Sequence, residues 1–200
     1  VEDSLAMVSR LGSSMYSGII YSVWGGEALE NPRSEKPERF GHSVESMQTI
    51  CETAEELDVQ CNVEVVNRFE SFLLNTASEA VEYAEAVDHP NLKVLMDTFH
   101  MNIEEDTIGG SIREVGEHLG HIHLGENNRK PPGRDGHFSW EEFMQALDDI
   151  GYTGPMVMEP FVEPGGQVGQ DIHVWRDLTD GLNLDDELER ALKFIRDHLL

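Results

Sequence analysis

The run Cys61-Asn62-Val63-Glu64-Val65-Val66, then Thr76 to Val87, then Leu92-Lys93-Val94-Leu95-Met96-Asp97, decides the fold. The outer two runs are short, apolar and rich in β-branched residues, as fully buried strands are. The segment between them carries apolar residues at helical spacing behind Thr76, a residue type that caps helix N-termini. Strand, helix and strand in so short a span make a βαβ unit. Its strands are parallel, and helices cover the sheet.

The same unit repeats outward in both directions. Upstream, Gly18-Ile19-Ile20-Tyr21-Ser22-Val23 reads as a strand. Ser43 to Leu57 follows as a helix with Val44, Met47, Ile50, Ala54 and Leu57 on one face. Downstream come a helix around Ile112 to His118 and a strand from Gly120 to Gly125. Next are a helix from Trp140 to Ile150 and a strand from Pro155 to Pro160. Ser139 is expected to cap the helix that starts at Trp140, with Glu142 completing a capping box. Asp185 to Leu199 closes the chain as an amphipathic helix, and Gly25 to Phe40 and Arg129 to His137 read as long polar loops. Five strands at a spacing of roughly 30 to 35 residues predict an α/β fold. A doubly wound sheet and a (β/α)8 barrel both satisfy that pattern, but a whole barrel takes ~250 residues. The expectation is a partial TIM-type barrel of about five βα units lacking the first strands, with residues 1–200 forming a single C-terminal part. Val1 in place of Met, leading straight into helix-like sequence, suggests a record that begins partway through a gene product. An open parallel edge predicts that these 200 residues alone are poorly active or prone to aggregate.

Charge narrows the function. Asp and Glu number 39 against 14 Lys and Arg, a formal net charge of −25. Such a surface repels nucleic acid and anionic membranes, which need basic patches. The acid is spread along the chain, and lysine occurs only at positions 36, 93, 130 and 193, a balance expected of halophilic cytoplasmic proteins. No apolar run reaches the ~18 residues of a membrane span. Cys51 and Cys61, the only cysteines, have neither metal-site spacing nor a disulfide framework, which fits a reducing cytoplasm.

Catalytic groups of parallel α/β folds gather at the C-terminal ends of strands. Four consecutive strands each place one metal-ligand type there: Glu64, Asp97, His123 and Glu159, separated by 33, 26 and 36 residues. A carboxylate inside an apolar strand is costly unless paired or bound to metal, and four in register outrun chance. Three carboxylates and one imidazole without thiolate favour one divalent, octahedral ion, Mn2+ ahead of Co2+ or Mg2+, with zinc less natural. His121 is read on the opposite strand face from His123, in core packing. Trp24, ending the first strand, is placed to wall a pocket. Trp175 is read as structural or at a subunit contact.

Several strings carry a family resemblance. Val65-Val66-Asn67-Arg68-Phe69-Glu70, Leu95 to Glu105 (Leu-Met-Asp-Thr-Phe-His-Met-Asn-Ile-Glu-Glu) and Ile122 to Arg129 (Ile-His-Leu-Gly-Glu-Asn-Asn-Arg) closely resemble the D-tagatose/D-psicose 3-epimerase family of xylose-isomerase-like barrels. So do Val157 to Phe161 and Val174 to Leu178, and the likeness runs from about residue 15 to 178. The resemblance implies Glu64, Asp97, His123 and Glu159 as metal ligands. It implies Glu64 and Glu159 as the base and acid that exchange a proton at C3. It also implies Glu70, His100 and Arg129 as contacts to the reactive end of the sugar. The implied reaction is C3 epimerisation of a free ketohexose, of the D-tagatose, D-fructose or D-psicose type, through a cis-enediolate. No phosphate-cradling Gly-rich loop is present, which leans away from a sugar phosphate. A homo-oligomer, dimer or tetramer, is expected of the full-length protein. Lys130 to His137 departs from the family pattern, which leaves the lid open. The rivals are another enzyme of the same scaffold, such as a hydroxypyruvate isomerase, an inosose dehydratase or an aldose–ketose isomerase, and a non-catalytic metal- or sugar-binding fragment. The last has no need of a paired acid and base. An apurinic endonuclease is disfavoured by the charge and the shortage of histidine ligands.

Overall fold

A computed structural model describes residues 1–25 and 29–199. In chain order its elements are α1 (Glu2–Arg10), β1 (Met15–Gly18), α2 (Pro32–Glu56), β2 (Gln60–Val65), α3 (Ala77–Val87), β3 (Leu92–Asp97), α4 (Thr98–Glu104), α5 (Ile108–Val115), a 3-10 turn (Gly116–His118), β4 (Leu119–Leu124), α6 (Trp140–Ile150), β5 (Met156–Met158), α7 (Gly166–Asp171) and α8 (Leu184–Leu199). The five strands are all parallel and lie side by side in sequence order. That is the wall of a partial TIM-type barrel. One face of each strand packs on the helices: Cys61, Val63 and Val65 from β2, Val94 and Met96 from β3, Ile122 and Leu124 from β4. The other face carries Asn62, Glu64, Asp97 and His121, which are polar yet buried. Alternation along each strand thus separates a greasy outer layer from a chemical inner one.

Several local expectations shift. The first strand is Met15–Gly18, upstream of the expected Gly18–Val23. Its pairing starts at Met15 against Gln60 and stops at Gly18 against Val63. Gly18 sits at φ 135°, where only glycine is comfortable, so the chain turns out of the sheet there. Ile19 and Ile20 then pack on the core from outside the strand. The expected helix from Ser43 begins instead at Pro32, whose fixed φ suits a first helical turn. Most of the loop expected over Gly25 to Phe40 is therefore helical, while its residues 26–28 lie outside the described residues. The helix placed around Ile112 to His118 is α5 plus the 3-10 turn, and α4 had no counterpart in the expectation.

The two predicted caps diverge. Thr76 accepts a hydrogen bond from the Glu79 N–H, as expected. Replacing it with Ala is expected to cost about 1 kcal/mol, a Tm drop of about 2–4 °C in thermal melts. Ser139 makes no side-chain cap, and Glu142 accepts from the Gly109 N–H at 2.8 Å, stapling α6 to α5. Tertiary contact outcompetes the local box.

Among the described residues no helix is long and apolar enough to cross a membrane. With a net charge of −25, surface self-repulsion weakens the fold at low ionic strength. Raising NaCl from about 0.05 to about 1 M is expected to lift Tm by on the order of 5 °C. A Tm that falls with salt would overturn that reading of the surface.

Candidate metal and sugar site

Strand register builds the site. Glu64 pairs with Leu95, two residues short of Asp97, and Asp97 pairs directly with His123. His123 pairs with Val157, two residues short of Glu159. Every step between neighbouring ligands is an even number of residues, so all four side chains face the same way. That parity depends on an irregularity in β4. Val94 pairs with Leu119 but Leu95 with His121, which leaves Gly120 as an extra residue. A Cβ on Gly120 would sit 2.3 Å from the Asn62 Oδ1 and 2.4 Å from the Lys93 Cβ, so only glycine fits this bulge. The extra residue rephases β4 and turns His123 inward, the re-aiming that bulges perform near active sites.

The four residues each offer a ligand atom within 4.8 Å of the others. The His123 Nδ1 lies 3.1 Å from a Glu64 oxygen, 3.5 Å from Glu159 and 3.8 Å from Asp97. Hydrogen bonds brace Glu64, Asp97 and the strand ends from behind. The buried Tyr21 hydroxyl donates to the Glu64 carbonyl at 2.9 Å. The Asp97 Oδ1 accepts from the Phe99 N–H at 2.6 Å, capping α4 and leaving Oδ2 for the site. Thr98 and Gly125 exchange hydrogen bonds at 2.7 and 2.8 Å, locking the ends of β3 and β4 together.

Crowded carboxylates set the protonation. Burial would lower the His123 imidazole, but hydrogen bonds to Glu159 and Glu64 win and push it up to about 10. Burial, with Asp97 and Glu64 nearby, raises the Glu159 carboxyl. Burial works the same way on Asp97, yet the positive charges of Arg129 and His123 hold it below the usual carboxylate range. Two buried carboxylates and one half-buried one, converging on one imidazole, are a donor set for a hard divalent cation, and the absence of thiolate among them suits oxygen-preferring ions. The residues fit such a metal.

Beside this cluster stands the second predicted group. One nitrogen of Arg129 lies 3.3 Å from both Asp97 and Glu159, and the other lies 3.8 Å from Glu70. Its guanidinium carbon rests 3.8 Å above the Phe99 ring centroid, a cation–π contact that fixes the plane. The His100 Nδ1 accepts from the Asn67 backbone N–H at 3.2 Å and its side-chain amide at 2.8 Å. A backbone N–H can only donate, so the neutral ring carries its proton on Nε2. The 3.9 Å approach of that Nδ1 to Glu70 is then not an ion pair. Glu70 accepts instead from Asn67 at 3.0 Å and from the Trp24 indole at 3.1 Å. Trp24, Glu64, Glu70, His100, Arg129 and Glu159 line one cavity of about 320 Å3, at the small end of ligand pockets and suited to a monosaccharide. All seven charged or imidazole residues singled out in the sequence, with Trp24, meet at one end of the sheet.

One side reading is corrected. His121 is not on the opposite face from His123, because residues two apart on a strand share a face. The two rings meet edge to face at 5.1 Å. Burial and the neighbouring His123 push His121 down, and its Nδ1 meets the Ser17 hydroxyl at 3.1 Å. Trp175, read as structural or at a subunit contact, is 72% exposed. Asn67, Thr98 and Phe99 were not singled out, though all three lie inside the quoted strings; their roles depend on contacts across loops that spacing does not show.

The profile of the xylose isomerase-like TIM barrel family matches residues 1–198. The D-psicose 3-epimerase of Ruminiclostridium cellulolyticum is 48% identical over 197 residues, covering 97% of this chain and 66% of the relative. That of Agrobacterium fabrum is 42% identical over 198 residues, covering 98% and 68%. The crystal structure of D-psicose 3-epimerase with D-tagatose from Clostridium cellulolyticum H10 superposes with a TM-score of 0.94 at 47% identity, covering 99% of this chain and 68% of that one. The chain thus spans about two thirds of the length of these relatives. It belongs to the xylose isomerase-like TIM barrel family, and within it to the ketose 3-epimerases.

Proposed function

We propose that this chain carries the reactive-end site of a metal-dependent ketose 3-epimerase acting on a free ketohexose of the D-tagatose, D-fructose or D-psicose type. The observation that carries the reading is the pair Glu64 and Glu159, flanking His123 from β2 on one side and from the end of β5 on the other. Two carboxylates placed either side of one carbon can divide the work of C3 epimerisation, one removing a proton and the other returning one to the opposite face. The relatives named for D-psicose 3-epimerisation, one of them crystallised with D-tagatose, support the substrate class.

The C3 proton is acidified by the C2 carbonyl beside it. One of the two carboxylates removes it and the other returns a proton to the opposite face, through a cis-enediolate. Glu64, Asp97, His123 and Glu159 would hold one divalent cation, Mn2+ ahead of Co2+ or Mg2+, which when bound supplies Lewis-acid stabilisation of developing negative charge. Arg129, the His100 Nε2–H and Glu70 orient the oxygens at the reactive end, which is the positioning contribution. Trp24 closes one side of the cavity. Two further proposals accompany this reading. A reducing cytoplasm fits Cys51 and Cys61, both free and buried. A homo-oligomer fits the exposed Trp175, stacked on His173 at 5.5 Å and available to a second copy.

The test uses the full-length protein with Mn2+ in molar salt and deuterated water, incubated with D-fructose or D-tagatose and followed by NMR. Deuterium at C3 together with the C3 epimer is the expected result. Label at C1 or an aldose product would move the assignment to an aldose–ketose isomerase. Metal binding without exchange would overturn the substrate class.

A further inference from the structure

Glu126 is a carboxylate that the chemistry above does not use, yet it is 98% shielded, with 2% of its surface exposed. Its Oε1 accepts two hydrogen bonds, from the Gly133 N–H at 2.6 Å and from the Trp140 indole N–H at 2.8 Å. Its Oε2 has no hydrogen-bond partner among the described residues, and a Cβ on Gly136 would sit 1.8 Å from it. Burying an acid with one oxygen unpartnered costs free energy. What it holds is the loop that presents Arg129. The Glu126 N–H donates to the Lys130 carbonyl and its own carbonyl accepts from the Arg129 N–H, both at 2.9 Å. Arg129 itself sits at φ 64°, a left-handed conformation that an arginine keeps only when its surroundings enforce it. One oxygen therefore ties the far limb of the loop and the start of α6 to the residue from which the Arg129 turn is built.

We propose that Glu126 is the positioning residue for Arg129. Its carboxylate pins Gly133 and Trp140, and so locks the strained turn that aims the guanidinium at Glu159, Asp97 and Glu70. The inference rests on the ketose 3-epimerase reading for its kinetic consequence, though not for its structural one.

The experiment compares E126A, E126Q and G136A in the full-length protein loaded with Mn2+, with D-fructose as substrate. E126A removes the acceptor, G136A crowds the carboxylate out of place without removing it, and E126Q keeps an accepting oxygen. E126A and G136A are expected to lose about 100-fold in kcat/KM, the scale of a 1 Å misplacement, with Mn2+ affinity retained. E126Q is expected to stay within about fivefold of wild type, since its amide oxygen still takes both donors. R129A and R129A/E126A should agree within about threefold, because a residue acting only through Arg129 has nothing left to lose. Full activity in E126A, or a double variant whose loss is the product of the single losses, overturns the proposal. The Arg129 Nε–Hε NMR signal supplies an activity-independent arm: it should shift or broaden in E126A and G136A and return in E126Q. An unchanged signal overturns the proposal even if wild type proves inactive on every ketose, which would sink the functional reading separately. If E126A fails to fold, G136A and its NMR signal decide.

Discussion

Replacing either Glu64 or Glu159 with Gln is expected to reduce C3 epimerisation by about 10²- to 10⁴-fold, the usual worth of a positioned general acid or base. The two variants should fail differently. Glutamine keeps an oxygen for the cation, at some cost in affinity from the lost charge, and removes the proton-transfer function. With Glu159 gone, Glu64 still reaches one face of C3, removes a proton and returns one to the same face. The opposite holds with Glu64 gone. Each variant is therefore expected to wash deuterium from D2O into one C3 epimer without converting it to the other, and the two should choose opposite epimers. Burial first, then Asp97 and Glu64, raises the Glu159 carboxyl and so favours its protonated form relative to an ordinary glutamate. NMR of single-epimer incubations checks this. Residual inversion in either variant would show that one carboxylate serves both faces.

The second large effect concerns metal affinity and pH. The carboxylates of Glu159 and Glu64 hold a proton on His123 up to about 10, against an ordinary value of 6.5. The folded value is raised, so charged His123 stabilises the metal-free fold fully below pH ~6.5, and that contribution is lost as pH rises through about 10. For a divalent cation the sign reverses, because it must displace that proton. Affinity is expected to climb about tenfold per pH unit, about a hundredfold between pH 7 and 9, where an ordinary imidazole would give a nearly flat profile. Calorimetric titration with Mn2+ in buffers of different ionisation enthalpy should find close to one proton released at pH 8. Flat affinity with no proton release would mean that His123 is already neutral.

The ligand ladder was legible in sequence because strand ends repeat with the βα unit, and polar residues inside apolar runs stand out. Thr76 was legible because a cap is local. What was hidden depends on neighbours far along the chain. The first strand slid upstream because Gly18, not the apolar run after it, ends the pairing with β2. Glu142 looked like half of a capping box until Gly109 of α5 claimed it. The short α4 starts on the Asp97 side chain, so the same residue reads in sequence only as the end of a strand. Glu126 carried no signal: an acid in a polar loop reads as solvated until α6 and the rest of its loop close over it.

Because Gly120 sets the phase of β4, this site is a counting device. Slide β3 by one residue and Asp97 yields its place to Met96 or Thr98; slide β4 and His123 yields to Ile122 or Leu124. Such a slipped chain would keep its helices and much of its circular dichroism, yet lose the carboxylate or imidazole from the point where the proposed cation would sit. On the proposed reading, tight metal retention would report strand register directly. In a preparation of mixed quality, the bound-metal stoichiometry measures the fraction of molecules whose strands are aligned to the residue.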